Sequence, residues 1–243
     1  MCGRYTLHTS QQQIAERFDV AVPDSFEPRY NCAPGQELPV ITSDDPDRLQ
    51  RFTWGLTPSW ADEKQGLINA RAETVQDKRS FADAYESRRC LVPADGFYEW
   101  ADLGDGKEPY RVAFEDDRPF AMAGLWERWE PPTQQLGLDS FGGGDGGSED
   151  PEPLETFTVI TTEPNDLVSE LHHRMAVVLA PDEEERWLDG EPDAVSDLLD
   201  PYPDDEFEYF RVSQRVNSPA NDDAELIEPV TAGASGSDDI VRG

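Results

Sequence analysis

The stretch Arg89-Cys90-Leu91-Val92-Pro93-Ala94-Asp95-Gly96-Phe97-Tyr98-Glu99-Trp100-Ala101 decides the class of fold. Residues 89–93 and 97–101 are short runs of aliphatic, β-branched and aromatic side chains, and Gly96 marks a tight turn or bulge between them. The same pattern recurs at 38–43, 48–56, 67–74, 109–115, 119–128, 156–162, 174–180 and 207–215, bounded by Gly, Pro or Asp clusters. No βαβ rhythm or internal repeat is present, so the pattern predicts a sheet-rich α+β domain. Helices are few and short. Ser10 and Gln13 form a capping-box pair ahead of Ile14 and Phe18, which predicts a helix over 10–19. Two more are expected at 182–189 and 193–200, and a third follows Pro164, read near its first position, and ends at His172-His173.

A chain of 243 residues with 37% hydrophobic content is large enough for one sizeable core. One domain is expected over 1–230. It carries a flexible acidic insertion at 131–155, rich in Gly and Asp, and ends in a disordered tail at 231–243. No run of 18 apolar residues and no signal-like N-terminus occur, so the expectation is a cytoplasmic protein without membrane contact. The cysteines Cys2, Cys32 and Cys90 are odd in number and lack Cys-x-x-Cys spacing. They are read as thiols, with neither a disulfide framework nor a zinc ribbon.

Acidic residues outnumber basic ones 52 to 20, giving a net charge of −32, and only Lys64, Lys78 and Lys107 are lysines. This is the composition of a halophilic protein. In molar salt the Debye length falls to about 3 Å, so such a surface no longer repels a polyanion at long range. Phosphate contacts must then be short-range, a task suited to the planar fork of Arg.

Cys2 is the first candidate for chemistry. Removal of Met1, which a small second residue permits, leaves an α-amine and a thiol on one carbon, both partly deprotonated near neutrality. An aldehyde would be captured twice, as an imine and then as a five-membered thiazolidine. The plainer reading is a small residue after the start codon. In Leu67-Ile68-Asn69-Ala70-Arg71-Ala72-Glu73-Thr74, strand alternation places Asn69, Arg71 and Glu73 on one face. That face either orients a carbonyl or hydroxyl and a phosphate, or is a solvated face with a weak Arg–Glu pair. Glu99 sits among three aromatic residues, where desolvation would raise its pKa and suit it to acid–base work. Alternatively it points outward with Phe97 while Tyr98 and Trp100 face inward. His172 and His173 either serve a site or simply complement a helix C-terminus. Zinc is disfavoured, because adjacent histidines diverge and no ligand stands at i+4. Arg4, Arg29-Tyr30-Asn31-Cys32-Ala33-Pro34 and Trp54-Gly55-Leu56-Thr57-Pro58-Ser59-Trp60 mix cations with rings that can stack unpaired bases, although a Trp in a turn is more often core.

Together, Met1-Cys2-Gly3-Arg4-Tyr5, Arg29 to Pro34, Trp54-Gly55-Leu56, Ile68 to Thr74, Asp95-Gly96-Phe97-Tyr98-Glu99-Trp100 and Leu171-His172-His173-Arg174-Met175 resemble the SOS-response-associated peptidase (SRAP) family, over nearly the whole chain. The resemblance implies twisted, barrel-like antiparallel sheets. It also implies a monomeric sensor of abasic sites in single-stranded DNA, active in the DNA damage response, associated with the nucleoid when bound to DNA and open to contact with the replication machinery. In that reading Cys2 crosslinks to the sugar, Asn69 positions the Cys2 end, Glu99 is the acid/base and His172 stabilises the opened sugar or shuttles protons. Arg4, Asn31, Pro34, Trp60, Arg71, Thr161 and Arg174 would contact DNA, and no metal or cofactor is implied. Peptidase activity would be limited to release of Met1. One departure is Ala61, where relatives often carry a second aromatic residue. Two other classes remain open on the residues alone: an N-terminal-nucleophile cysteine amidase, and a non-catalytic reader of modified bases.

Overall fold

Residues 89–102 form two strands that belong to different sheets, with Asp95 as the single residue between them. The computed structural model describes residues 2–104, 106–131 and 152–230. In chain order the strands are β1 (Tyr5–Leu7), β2 (Arg29–Cys32), β3 (Glu37–Thr42), β4 (Asp45–Trp54), β5 (Asn69–Arg71), β6 (Arg89–Ala94), β7 (Gly96–Asp102), β8 (Lys107–Phe114), β9 (Phe120–Trp129), β10 (Leu154–Thr162), β11 (Met175–Ala176), β12 (Val178–Leu179) and β13 (Phe207–Arg211). The helices are α1 (Gln11–Phe18), α2 (Ala82–Ser87), α3 (Asp166–Ser169) and α4 (Glu184–Asp189).

The first sheet is antiparallel, in the order β13-β8-β7-β1-β2. The second runs β11-β10-β4-β3-β6-β9-β12, and β9 pairs with β10 as well. Strands β10, β4, β3, β6 and β9 therefore close into a five-stranded barrel. Closure removes the open edges that would otherwise expose unpaired backbone groups. Two pairings depart from the antiparallel expectation, since β4 and β5 both lie parallel to β10, one after the other along it. The chain leaves the barrel at Gly55 and returns at Leu67, where Leu56 and Leu67 exchange two backbone hydrogen bonds of 2.9 Å. Gly55 has φ +132°, and a Cβ there would stand 3.2 Å from the Gly66 backbone, so the crossing needs a glycine for two reasons.

One core joins the sheets: Tyr5 of the first packs against Trp54 of the barrel at 5.3 Å between ring centroids, and Trp54 stacks on Phe157. Glu99 shares the Phe97 face of β7, and both are buried. Tyr98 is buried on the opposite face against Val212, Val216 and Leu226. Both faces of β7 are thus covered: the outward reading of Glu99 fails because the Phe97 face it shares packs on the main core, and the C-terminal segment roofs the Tyr98 face instead.

Local expectations were met where a cap or a long run specified them. Helix α1 has Ser10 and Gln13 in a complete capping box. The stretch 193–200 forms two 3₁₀ turns, Pro192–Ala194 and Ser196–Leu199, because Val195 leaves helical geometry and is buried. Strand β5 stops at Arg71 and passes into a 3₁₀ turn over Ala72–Thr74, and β13 stops at Arg211. Helix α3 is capped by Asn165, whose side chain accepts from Val168 N, so Pro164 lies outside the helix rather than in its first turn. Strands β1 and β2 and helix α2 are too short for their periodicity to show. Strand β10 begins inside the segment read as an insertion; most of that segment (132–151) and the expected tail at 231–243 lie outside the described residues.

Gly96 is not a left-handed turn residue; its missing side chain makes room for Arg111. A Cβ at Gly96 would lie 2.7 Å from Arg111 Nε, and Arg111 is itself buried and bonded to Asp117 and the Asp95 carbonyl. Gly96→Ala should therefore lower unfolding stability by about 2 kcal/mol, read from denaturant titration, as overpacking of a fixed neighbour does; an unchanged midpoint would refute this account.

Candidate functional site

Four chain segments deliver the candidate residues to one place. Asp95, wholly buried, accepts hydrogen bonds from Thr6 Oγ1 (2.6 Å), His8 N (2.5 Å), Thr9 N (2.8 Å) and Thr9 Oγ1 (2.8 Å). The N-terminal strand is thereby locked beside β7, and Tyr98 N donates to Arg4 O as the pairing continues toward Cys2. Cys2 is fully buried. Its carbonyl accepts from Asn69 Nδ2 at 2.9 Å, and Asn69 is held in register by β5 pairing with Val159. Asn69 Oδ1 and Glu99 Oε1 are buried without hydrogen-bond partners, two polar atoms with acceptor capacity to spare. His172 Nδ1 lies 3.9 Å from Glu99 Oε2 and accepts from Arg174 N at 3.1 Å. Nδ1 also lies 3.1 Å from Arg174 O, so the Arg174 backbone can meet the ring in either tautomer.

Burial sets the electrostatics. It pushes the Cys2 thiol up to about 12, with the nearby Glu99 charge acting in the same direction. Burial also raises Glu99 to about 7, and it lowers His172 below the usual imidazole range. Glu99 is consequently shared between acid and base forms near neutrality, the condition for moving a proton both ways.

The cations expected at DNA are arranged in different ways. Arg4 is half-buried and donates to Asn31 Oδ1 (2.7 Å) and Val216 O (2.6 Å). Asn31 is buried and donates to the carbonyls of Val216, Ser218 and Asn221, so its amide fastens the C-terminal segment. Arg174 makes a bidentate pair with Glu73 and also reaches Thr161 O and Thr161 Oγ1, the latter at 3.4 Å; Thr161 is buried. Hydrogen bonding to Arg174 holds the Glu73 carboxyl below the usual carboxylate range. Arg71 and Pro34 are exposed. Trp60 is 39% exposed, and the Arg79 guanidinium lies over its ring at 4.1 Å. Ala61, by contrast, is buried and accepts from Trp129 Nε1 at 2.7 Å, so the loop behind Trp60 is anchored.

Asp95 and Arg79 were not singled out from the sequence. A lone carboxylate between two β runs, flanked by Ala94 and Gly96, is the one signal that pointed to Asp95. Arg79 carries none, since its contact with Trp60 is purely tertiary.

With this geometry in place, comparison with known proteins gives a consistent answer. Residues 1–219 match the family described as SOS response associated peptidase (SRAP). The chain belongs to this family. It is 41% identical to the Bacillus subtilis abasic site processing protein YoqW, over 94% of this chain and 99% of the relative. It is 30% identical to YedK of Escherichia coli, named in the same way, over 95% and 100%, and 33% identical to the Gallus gallus protein HMCES over 86% and 68%. A solved structure from Bacteroides thetaiotaomicron superposes with a TM-score of 0.80 at 26% identity, covering 95% of this chain and 100% of that one.

The raised pKa of Glu99 has a measurable sign. Below about pH 4.5, near the unperturbed value of a Glu carboxyl, it is protonated whether the chain is folded or not, and it costs nothing. Between there and about 7 the native state binds more protons than the unfolded one, so its contribution to stability falls as pH rises. Glu99→Gln should match wild type in melting temperature at pH 4.5 and exceed it progressively up to pH 7, with no further gain above, in thermal scans at constant molar salt.

Proposed function

We propose that this chain captures abasic sites in single-stranded DNA by forming a thiazolidine with Cys2 after Met1 is removed. The observation that carries the reading is the meeting of Cys2, Asn69, Glu99 and His172 from four separate segments. Family membership and relatives named for abasic site processing support it.

The freed Cys2 amine attacks C1′ of the ring-opened sugar to give a carbinolamine. Glu99, near half protonated at neutrality, donates a proton to the departing hydroxyl, which leaves as water. The resulting iminium accepts the Cys2 sulfur. Burial favours the protonated thiol, and the Glu99 carboxylate formed in the preceding step takes that proton as sulfur attacks. Aldehyde, amine and thiol thus become thiazolidine and one water, and Glu99 returns to its starting state. Asn69 holds the Cys2 carbonyl and so aims the nucleophile. His172 faces the sugar side of Glu99 and stabilises the O4′ hydroxyl released on ring opening.

Arg4, Arg71 and Arg174 grip flanking phosphates in this scheme, with Trp60, Pro34 and Thr161 beside the strand. Arg174 has to exchange Glu73 for phosphate as DNA arrives. Specificity resides in the aldehyde, so no base readout is required.

Incubation in molar KCl with single-stranded DNA carrying one abasic site, followed by denaturing electrophoresis and intact mass, tests the reading. A heat-resistant adduct lacking Met1 is expected with wild type and not with Cys2→Ala or undamaged DNA. Glu99→Gln should slow its formation roughly 100-fold, in the range for loss of an acid–base group. A folded protein with a free Cys2 terminus that forms no adduct would sink the proposal, and amide hydrolysis would become the next assay. Glu73→Gln should tighten binding to undamaged single strands several-fold, by leaving Arg174 without its competing carboxylate; weaker binding would show instead that Glu73 orients Arg174 for phosphate.

A further inference from the structure

Strand β13 lies two strands away from the strand bearing Glu99, yet it reaches the segment bearing His172. Tyr209 is 3% exposed, and its hydroxyl donates to Glu170 Oε2 at 2.6 Å. Glu170 caps the C-terminal end of α3, two residues before His172, and His172 N donates to Val168 O of that helix. Tyr209 also meets Tyr110 edge-on, at 5.6 Å and 84°. Tyr110 stands directly opposite Glu99 in the β7–β8 pairing, so their side chains share a face. The path runs from Glu99 to its cross-strand partner Tyr110, by ring contact to Tyr209, by hydrogen bond to Glu170 and along the chain to His172, and it closes at the 3.9 Å approach of His172 to Glu99.

We propose that Tyr209 and Glu170 are positioning residues: their hydrogen bond ties the His172 segment to the sheet that carries Glu99 and fixes the separation of the two groups. Leu167 and Val168 are buried and anchor α3 in the main core, which apolar packing holds without fixing direction. The Tyr209 bond adds a direct polar link from the first sheet, and it is charge-assisted, hence short and directional. The inference rests on the function proposed above for His172 and Glu99.

The decisive comparison is wild type, Tyr209→Phe and Glu170→Gln. Phenylalanine keeps the ring against Tyr110 and removes only the hydroxyl, while glutamine keeps an acceptor for it. The readouts are single-turnover adduct formation on abasic single-stranded DNA, affinity for undamaged single strands, and the ring nitrogen resonances of the three histidines. Tyr209→Phe should slow adduct formation on the order of tenfold, short of the loss expected on removing an acid–base group itself. It should shift the His172 resonances, with those of His8 and the DNA affinity unchanged. Glu170→Gln should restore most of the wild-type rate and His172 spectrum. Wild-type rates and an unmoved His172 spectrum in Tyr209→Phe would overturn the proposal. So would a loss that also moves His8 and DNA affinity, because the bond would then be serving the fold in general. If wild type itself forms no adduct, the functional reading falls, and the His172 spectrum still decides whether Tyr209 positions that ring.

Discussion

Everything at the site depends on a buried carboxylate at the point where the chain changes sheets. Asp95 sits between β6 of the barrel and β7 of the first sheet, and it satisfies donors from Thr6, His8 and Thr9. A charge at that depth is tolerable only with such a full set of donors, and Arg111 supplies the opposite charge at 3.7 Å. The consequence is geometric. A strand of three residues has little hold of its own, so the few bonds at Asp95 decide where Tyr5, Arg4 and finally Cys2 are placed. Gly96 follows from the same arrangement, because the guanidinium that balances Asp95 fills the space a side chain would need.

The chemistry gains from burying groups that would separately be poor reagents. In water a carboxyl near 4.3 is a weak acid catalyst at neutrality, and a free cysteine is open to oxidation. Burial raises both, and their proximity raises the thiol further, since two negative charges are disfavoured together. The site at rest therefore favours protonated forms.

Much of this was legible in the sequence, and the failures have physical causes. The strands at 89–102, 107–114, 120–129 and 154–162 declare themselves because each is long enough to carry a run of β-forming residues. Cys2, Asn69, Glu99 and His172 were named from local surroundings and from a resemblance spread over six motifs, and the fold brings the four together. The barrel came from the resemblance alone, and the parallel pairings of β4 and β5 with β10 were not legible, because register between distant strands leaves no local trace. Nor were the partners of Asn31: its motif suggested a DNA contact but carried no sign that its amide donates to three backbone carbonyls of the C-terminal segment. The excess of acidic residues in the sequence did not show which arginines carry a carboxylate partner, as Arg174 does in Glu73.

The excursion between Gly55 and Leu67 separates two things that are adjacent in sequence. Trp60 rides on it, and Asn69 follows two residues after its end. Yet the two ends are pinned to one another by the Leu56–Leu67 bridge and to β10 through Gly55 N on Phe157 O and through the Asn69 pairing with Val159. The surface around Trp60 and the register of Asn69 are thus set by different contacts, the first by Trp129 Nε1 on Ala61 O and the second by the pairing of β5 with β10.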